Sequence, residues 1–365
     1  MVLLIIVTGL FAIPGVSAME YVLNASPDSN FAGGIEYNGN DPLTITLNDN
    51  VTIASFSAAG IESAGPVTIR SPSEKTLTIL VTNNSDMLYG VWGSSVTLES
   101  GRLDIVIRGS NSPKSGASYA LYAGSGNVTV SGGTVNASVM TTAHKNKGIY
   151  AKQYVIVSGG SIISHESGGS NTFGLDGGDV DAGNAQGGIV ITGGYIDVHS
   201  KNASTRNFGI DSKSGTVKIS GNPVVFIESD TSGKAENFAY NATITTISGG
   251  NAVVFTSTGG NYTLMSSAVF AQNAALLPGK TFEIPAGSSL GISSGLTLTL
   301  PAGSTILTGA NFGTLDATGS APDSTGAVLY TGIAPATTKA PVPVGVIVVA
   351  VITGLCVAIG AGQKK

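Results

Sequence analysis

The sequence predicts an all-β protein, a parallel β-helix (solenoid) ectodomain carried by one C-terminal transmembrane helix. Three observations lead there. A short motif recurs seven times at even spacing, its apolar residues alternate with polar ones, and uncharged apolar runs close both ends of the chain. The copies are VTIRSP from Val67, VTLESGRLDI from Val96, VTVSGGTVNA from Val128, VIVSGGSIIS from Val155, IVITGGYIDV from Ile189, VKISGNPVVF from Val217 and TTISGGNAVV from Thr245. Their turn position holds Arg70, Glu99, Ser131, Ser158, Thr192, Ser220 and Ser248, at intervals of 29, 32, 27, 34, 28 and 28 residues. Such regularity is the signature of stacked repeats.

In chain order, residues 1–18 form an apolar run ending in Val16, Ser17 and Ala18. That is the small-residue ending of a secretory signal peptide, although the run opens without Lys or Arg. Residues 19–59, with LTITL and VTIASFSA, supply N-terminal strands or a cap. Residues 60–250 hold the β-helix repeats. Each motif strand has a shorter strand upstream: GIES at Gly60, GVWG at Gly90, ALYA at Ala120, GIYA at Gly148, GLDG at Gly174 and GIDS at Gly209. Alternation with a period of two means strand rather than helix, and the glycines of the turn accept a positive φ. Two or three short strands cannot bury their own apolar face, whereas stacked copies build one continuous core. One copy per coil of a parallel β-helix is the economical solution. A β-sandwich is the alternative, because strand patterning alone does not fix topology.

Residues 251–332 include FEIPAGSSLGI and LTLTLPAGSTIL, shorter repeats that finish the stack or cap it. Residues 333–343 are a Pro-rich linker. Residues 344–361 carry no charge and are long enough to cross a bilayer. The tail 362–365 ends in Lys364 and Lys365, which the positive-inside rule places in the cytoplasm, leaving the ectodomain outside. Those lysines argue against a GPI signal.

The 17 Lys and Arg include that terminal pair, which leaves 15 against 22 acids and a net charge of about −7. This disfavours nucleic acid and anionic lipid as partners. Cys356, the single cysteine, lies in the membrane segment. No ectodomain disulfide is then available, and stability must come from a large core or a regular architecture. Eight Asn-x-Ser/Thr sequons, at Asn24, Asn50, Asn83, Asn127, Asn136, Asn202, Asn241 and Asn261, are candidate glycosylation acceptors, against about five that the Asn, Ser and Thr content gives by chance.

Stacking turns aligned positions into columns of side chains about 4.8 Å apart. One outward column follows the short strand's inward aliphatic residue: Glu62, Trp92, Tyr122, Tyr150, Asp176, Asp211 and Asn241. Rings beside acids and amides suit a sugar, whose apolar side packs on rings while its hydroxyls find polar partners. Trp92, Tyr122 and Tyr150 are therefore carbohydrate-binding candidates; the alternative is that the rings stack on one another as a structural ladder. A second column, seven residues after the turn serine, holds His165 and His199, with Asp197 on the same face. Asp197 and His199 join the carbohydrate candidates. Stacked histidines also take transition metals or titrate near neutral pH, but only two aligned ligands of that kind are present.

The stretch GLDGGDVDAGNAQGG, residues 174–188, is inserted between two copies and accounts for the interval of 34. It brings Asp179 and Asp181 near the stacked Asp176 and Asp211, four carboxylates on a glycine-rich backbone. Calcium takes six to eight oxygens from such groups. These four are the calcium candidates, although the loop lacks the EF-hand spacing and its terminal glutamate. The bland alternative is a solvated turn.

At GIDSKSGTVKISGN and GIYAKQYVIVSGGSI the chain resembles a family of cell-surface carbohydrate-binding β-helices, over roughly residues 60–250. The resemblance implies a right-handed coil, acidic plant-type polysaccharides such as polygalacturonate as ligands, and calcium held by aspartates on the coils. Asp211 matches that family's aspartate in GID and Asp176 matches it through GLD, while Trp92, Tyr122 and Tyr150 stand where it would be. The tail is similar to that of membrane-anchored surface proteins of archaea and some bacteria. The expected function is binding of polysaccharide, or adhesion, at the cell surface with calcium as a helper. The alternatives are a structural envelope spacer without ligand and a polysaccharide lyase or hydrolase. A lyase wants calcium-binding acids beside a base and a hydrolase wants paired carboxylates across a groove. Arg70, Arg102, Arg108 and Arg206 show no such acidic setting on their coils, so no catalytic residue is expected and the chain is read as a non-enzyme.

Overall fold

Alternating strands leave one apolar face each, and here that face is buried by winding the chain on itself. The computed structural model describes residues 18–24, 30–31, 34–55, 57–110, 115–178, 187–230, 236–308 and 312–316. Asp179, Asp181, the expected signal peptide (residues 1–18) save for Ala18 itself, and the expected linker, membrane segment and tail lie outside the described residues. Among the described residues there is no helix. The chain divides after Ser248 into two compact units, and it is a right-handed parallel β-solenoid of about nine turns.

In the first unit every coil contributes a strand to each of three parallel sheets. Sheet A runs through Ile35–Tyr37, Ala59–Ser63, Met87–Gly93, Ala117–Ala123, Lys145–Ala151 and Asn171–Gly177, and then through the first halves of Arg206–Ile219 and Glu236–Ile247. Sheet B runs from Met19–Leu23 and Leu43–Leu47 through the motif strands Val67–Arg70, Val96–Leu98, Val128–Val130, Tyr154–Val157 and Gly188–Ile191. The second halves of the same two long strands complete it. Sheet C comprises Asn30–Phe31, Val51–Ser55, Thr76–Thr82, Arg102–Gly109, Thr134–Thr141, Ser161–Ser167, Tyr195–Lys201 and Val224–Asp230. Consecutive coils pair in parallel throughout this unit, which excludes the sandwich. The strands Met19–Leu23, Leu43–Leu47 and Val51–Ser55 are already in register with the coils that follow, since Met19 pairs with Leu43, Leu43 with Val67 and Val51 with Leu77. They form coils of the stack itself.

The turn between sheets B and C explains the recurring glycines. Gly101, Gly133, Gly160, Gly194, Gly221 and Gly249 all have φ between 70° and 86°, a region that favours residues without a Cβ. Inside, aliphatic residues stack coil upon coil: Val67, Val96, Val128, Val155 and Ile189 in sheet B, and Leu77, Leu103, Val135, Ile162 and Ile196 in sheet C. All are buried. At the corner between sheets C and A a polar stack replaces them. Ser118, Asn146, Thr172, Asn207 and Asn237 lie in register. Thr172 donates to Asn207 Oδ1 at 2.7 Å, and Asn207 Nδ2 donates to Asn237 Oδ1 at 2.8 Å and to the Asp230 carbonyl at 3.0 Å. Buried amides and hydroxyls thus partner one another along the stack.

The second unit has shorter coils. Tyr262–Leu264 turns back antiparallel to Val253–Ser257, then pairs in parallel with Thr281–Glu283, which pairs with Thr305–Leu307. Ala268–Phe270, Ser289–Ile292 and Thr314–Asp316 form another parallel sheet. Phe255, Tyr262 and Phe282 fill its interior, with ring centroids 5.1 and 5.3 Å apart.

Candidate functional site

The outward column expected on sheet A is present in register: Glu62 with Trp92, Trp92 with Tyr122, Tyr122 with Tyr150, Tyr150 with Asp176, Asp176 with Asp211, and Asp211 with Asn241. A second outward column, three residues upstream, runs beside it through Tyr89, Tyr119, Lys147, Phe173, Phe208 and Phe238. Strict alternation places Tyr119 inside with Leu121. The chain bends between them, and the register passes from Tyr119 with Lys147 directly to Leu121 with Ile149. A Cβ on Gly148 would fall 1.9 Å from Ser164 Oγ, inside the coil. The small residue and the next aliphatic one therefore both face inward, and the residues on either side of them face out. The signal was present in the sequence as an aromatic residue before Gly or Ala in YGVWG, YALYA, FGLDG and FGIDS.

The two columns converge on a patch of five rings. Tyr89 stacks on Trp92 at 5.1 Å and on Tyr119 at 5.4 Å. Tyr119 meets Tyr122 edge-on at 4.7 Å, and Tyr122 stacks on Tyr150 at 5.2 Å. Trp92 and Tyr122 keep partly open faces, while Tyr89, Tyr119 and Tyr150 are nearly covered. Burial, then the neighbouring Tyr119 and Tyr122, holds the Tyr89 hydroxyl well above the ordinary phenol range, so it stays protonated. Beyond the rings the face becomes charged. Lys147 Nζ lies 4.1 Å from the Tyr150 centroid and 5.1 Å from that of Phe173, and bonds Asp176 Oδ2 at 2.5 Å. Both members of this ion pair are buried. Sequence reading missed Lys147 because its acid sits in the other column, one coil on. Phe173, Phe208 and Phe238 continue as a stack with centroids 4.9 and 5.2 Å apart.

Of the four calcium candidates, the structure describes two. Asp176 and Asp211 are neighbours in register, and each has a protein partner: Lys147 for Asp176, and Asn241 Nδ2, which donates to Asp211 Oδ1 at 2.7 Å. They are largely covered, where an open outward face was expected. Asp179 and Asp181 lie outside the described residues.

Asp197 and His199 lie on the outer face of sheet C, away from the rings. His165 stands over His199 in register, with centroids 4.6 Å apart, as the spacing predicts. His199 Nε2 is 2.7 Å from Asp197 Oδ1, and Nδ1 is 2.8 Å from Glu228 Oε2, a residue of the next coil that the sequence did not single out. Burial opposes a charge on His199, but hydrogen bonds to the two carboxylates outweigh it and lift the imidazole to a pKa of about 9. Burial and the His199 charge hold His165 below its ordinary value. One position along, Glu166 points into the core. Ser164 donates to its Oε1 at 2.6 Å and its Oε2 has no partner. Burial raises this carboxyl well above the usual range, so it is kept as the neutral acid.

No family model matches the chain, and neither a curated protein nor a solved structure does so.

Proposed function

We propose that this chain is a cell-surface protein, exported and held by a C-terminal membrane helix, that binds polysaccharide on the outer face of sheet A. The observation that carries the reading is the five-ring patch of Tyr89, Trp92, Tyr119, Tyr122 and Tyr150, with a charged strip running on from it. Rings left partly open at a surface offer an apolar platform for the C–H face of a sugar, and polar neighbours orient its hydroxyls. Asp197 and His199 are on another face and would contact only a second stretch of the polymer. Calcium belongs to the proposal as a helper at Asp176 and Asp211, where the ion would have to replace the Lys147 ammonium and the Asn241 amide.

Trp92 is the chain's single tryptophan, so its emission reports on the patch directly. Titrating the full chain with a neutral glucan and with polygalacturonate, each with calcium and with EDTA, should shift the emission and raise the melting midpoint by mass action. Trp92→Ala with Tyr122→Ala should remove the midpoint shift. A response to EDTA separates the calcium part from the sugar part.

The envelope-spacer reading has its own support. The rings are satisfied against one another, and each stacked pair stabilises the coil by about 0.5–1.5 kcal/mol without any ligand. If neither polymer changes the emission or the midpoint, that reading replaces the first.

A further inference from the structure

We propose that His165, His199 and Asp197 form a site for a divalent transition metal of the zinc class on the outer face of sheet C. The proposal is independent of sugar binding and uses another face of the solenoid. One ligand atom from each of the three residues lies within 4.8 Å of the others. Parallel register sets this arrangement: His165 and His199 occupy one column in adjacent coils, and Asp197 precedes His199 by two residues on the same strand face.

Glu228 completes the design from the coil beyond. Its carboxylate accepts from His199 Nδ1 at 2.8 Å, which turns Nε2 toward Asp197 Oδ1. A histidine that donates one ring nitrogen to a carboxylate and offers the other to an ion is the usual arrangement around protein-bound zinc. At 2.7 Å, Nε2 donates its proton in a hydrogen bond to Oδ1. An ion with ligands at about 2.0–2.1 Å in tetrahedral geometry would replace that proton and push the two atoms apart by roughly 0.6 Å. Asp197 and His199 are close enough in sequence to make that adjustment through side-chain rotation. The His165 side chain makes no hydrogen bond among the described residues and can turn a nitrogen toward the ion.

The donor set selects the metal class. Two imidazoles and one carboxylate suit zinc, copper or nickel, whereas calcium and magnesium take oxygen ligands. Three protein ligands leave a fourth position open to water or to an oxygen of a bound molecule.

The test uses the full chain and two probes, zinc by calorimetry and cobalt by its visible ligand-field bands. One ion per chain is expected, with bands of low-symmetry nitrogen and oxygen coordination and no displacement by excess calcium. His165→Gln removes an exposed ligand that holds no other hydrogen bond, so the metal-free melting midpoint should stay where it is. Its zinc affinity should fall by more than about tenfold, the least that even an outer-shell partner of a metal site commands. Glu228→Gln should weaken binding by a smaller factor. Absence of heat and of bands in the unaltered protein overturns the proposal. So does binding that survives His165→Gln unchanged, or cobalt bands that calcium abolishes.

Discussion

Lys147 carries the least replaceable contact on the outer face of sheet A. Its ammonium is wedged among three rings and against Asp176, with both side chains about one-tenth exposed. A buried pair of this kind adds little net stability relative to an apolar pair, yet losing one partner strands the other charge and costs about 3–5 kcal/mol. Lys147→Met should therefore lower unfolding stability by that order, and Asp176→Asn in the same chain should restore much of it. A urea double-mutant cycle reads the coupling; additive losses would mean that the pair is solvated and that the Lys147 stem alone matters. The cycle also bears on calcium. An ion at Asp176 competes with Lys147, so Lys147→Met should strengthen any calcium response while weakening the fold.

At the scale of the strand, the Gly or Ala that precedes each inward aliphatic residue of sheet A decides what faces out. A Cβ on Gly174 would lie 1.8 Å from Val198 Cγ1, and one on Gly209 would lie 2.2 Å from Ile227 Cγ2. Sheet C fills the space that a side chain there would need. Gly174→Ala should then destabilise the protein by about 1–3 kcal/mol through overpacking. Gly250→Ala, with nothing within 4 Å, should leave the midpoint nearly unchanged. Thermal unfolding of the two variants side by side checks the contrast. The same bend marks where the sequence stopped being legible. The short-strand motif placed Trp92, Tyr122, Tyr150, Asp176 and Asp211 in one column because GVWG, ALYA, GIYA, GLDG and GIDS match position by position. It could not place Tyr119 outside, because a strict period of two has no term for two consecutive inward residues. Glu228 was hidden for a related reason. The turn of its coil, Ser220-Gly221-Asn222-Pro223, is one residue longer than Thr192-Gly193-Gly194, so the residue that meets His199 falls eight places after the turn instead of seven.

For the molecule as a whole, stacking and charge set the terms. The stacked coil could be read from the motif, and so could the replacement of disulfides by a continuous interior, but two or three strands per coil fitted the pattern equally and only the structure gives three sheets. The shorter coils after Ser248 were visible only as a change of spacing, because their strands are two to five residues long and give alternation little to act on. The chain carries a formal charge of −5, which repels polyanions at long range. A neutral glucan should bind with an affinity that barely changes with sodium chloride. Polygalacturonate should bind more tightly as salt screens the repulsion, over a Debye length of about 8–10 Å at physiological strength. Affinities measured across a salt series decide this, and a polyanion that binds best at low salt would point to a basic contact other than the Lys147 ammonium already paired with Asp176.

Parallel register with a one-coil offset also makes length adjustable. Ala117 pairs with Lys145 and Thr134 with Ser161, so a second copy of residues 117–144 could be spliced in after His144 with every rung finding a counterpart above and below. The strip would grow by about 4.8 Å and gain another Tyr119 and Tyr122. Its grip on a long polymer would then increase by avidity, through repetition of a weak contact along one chain.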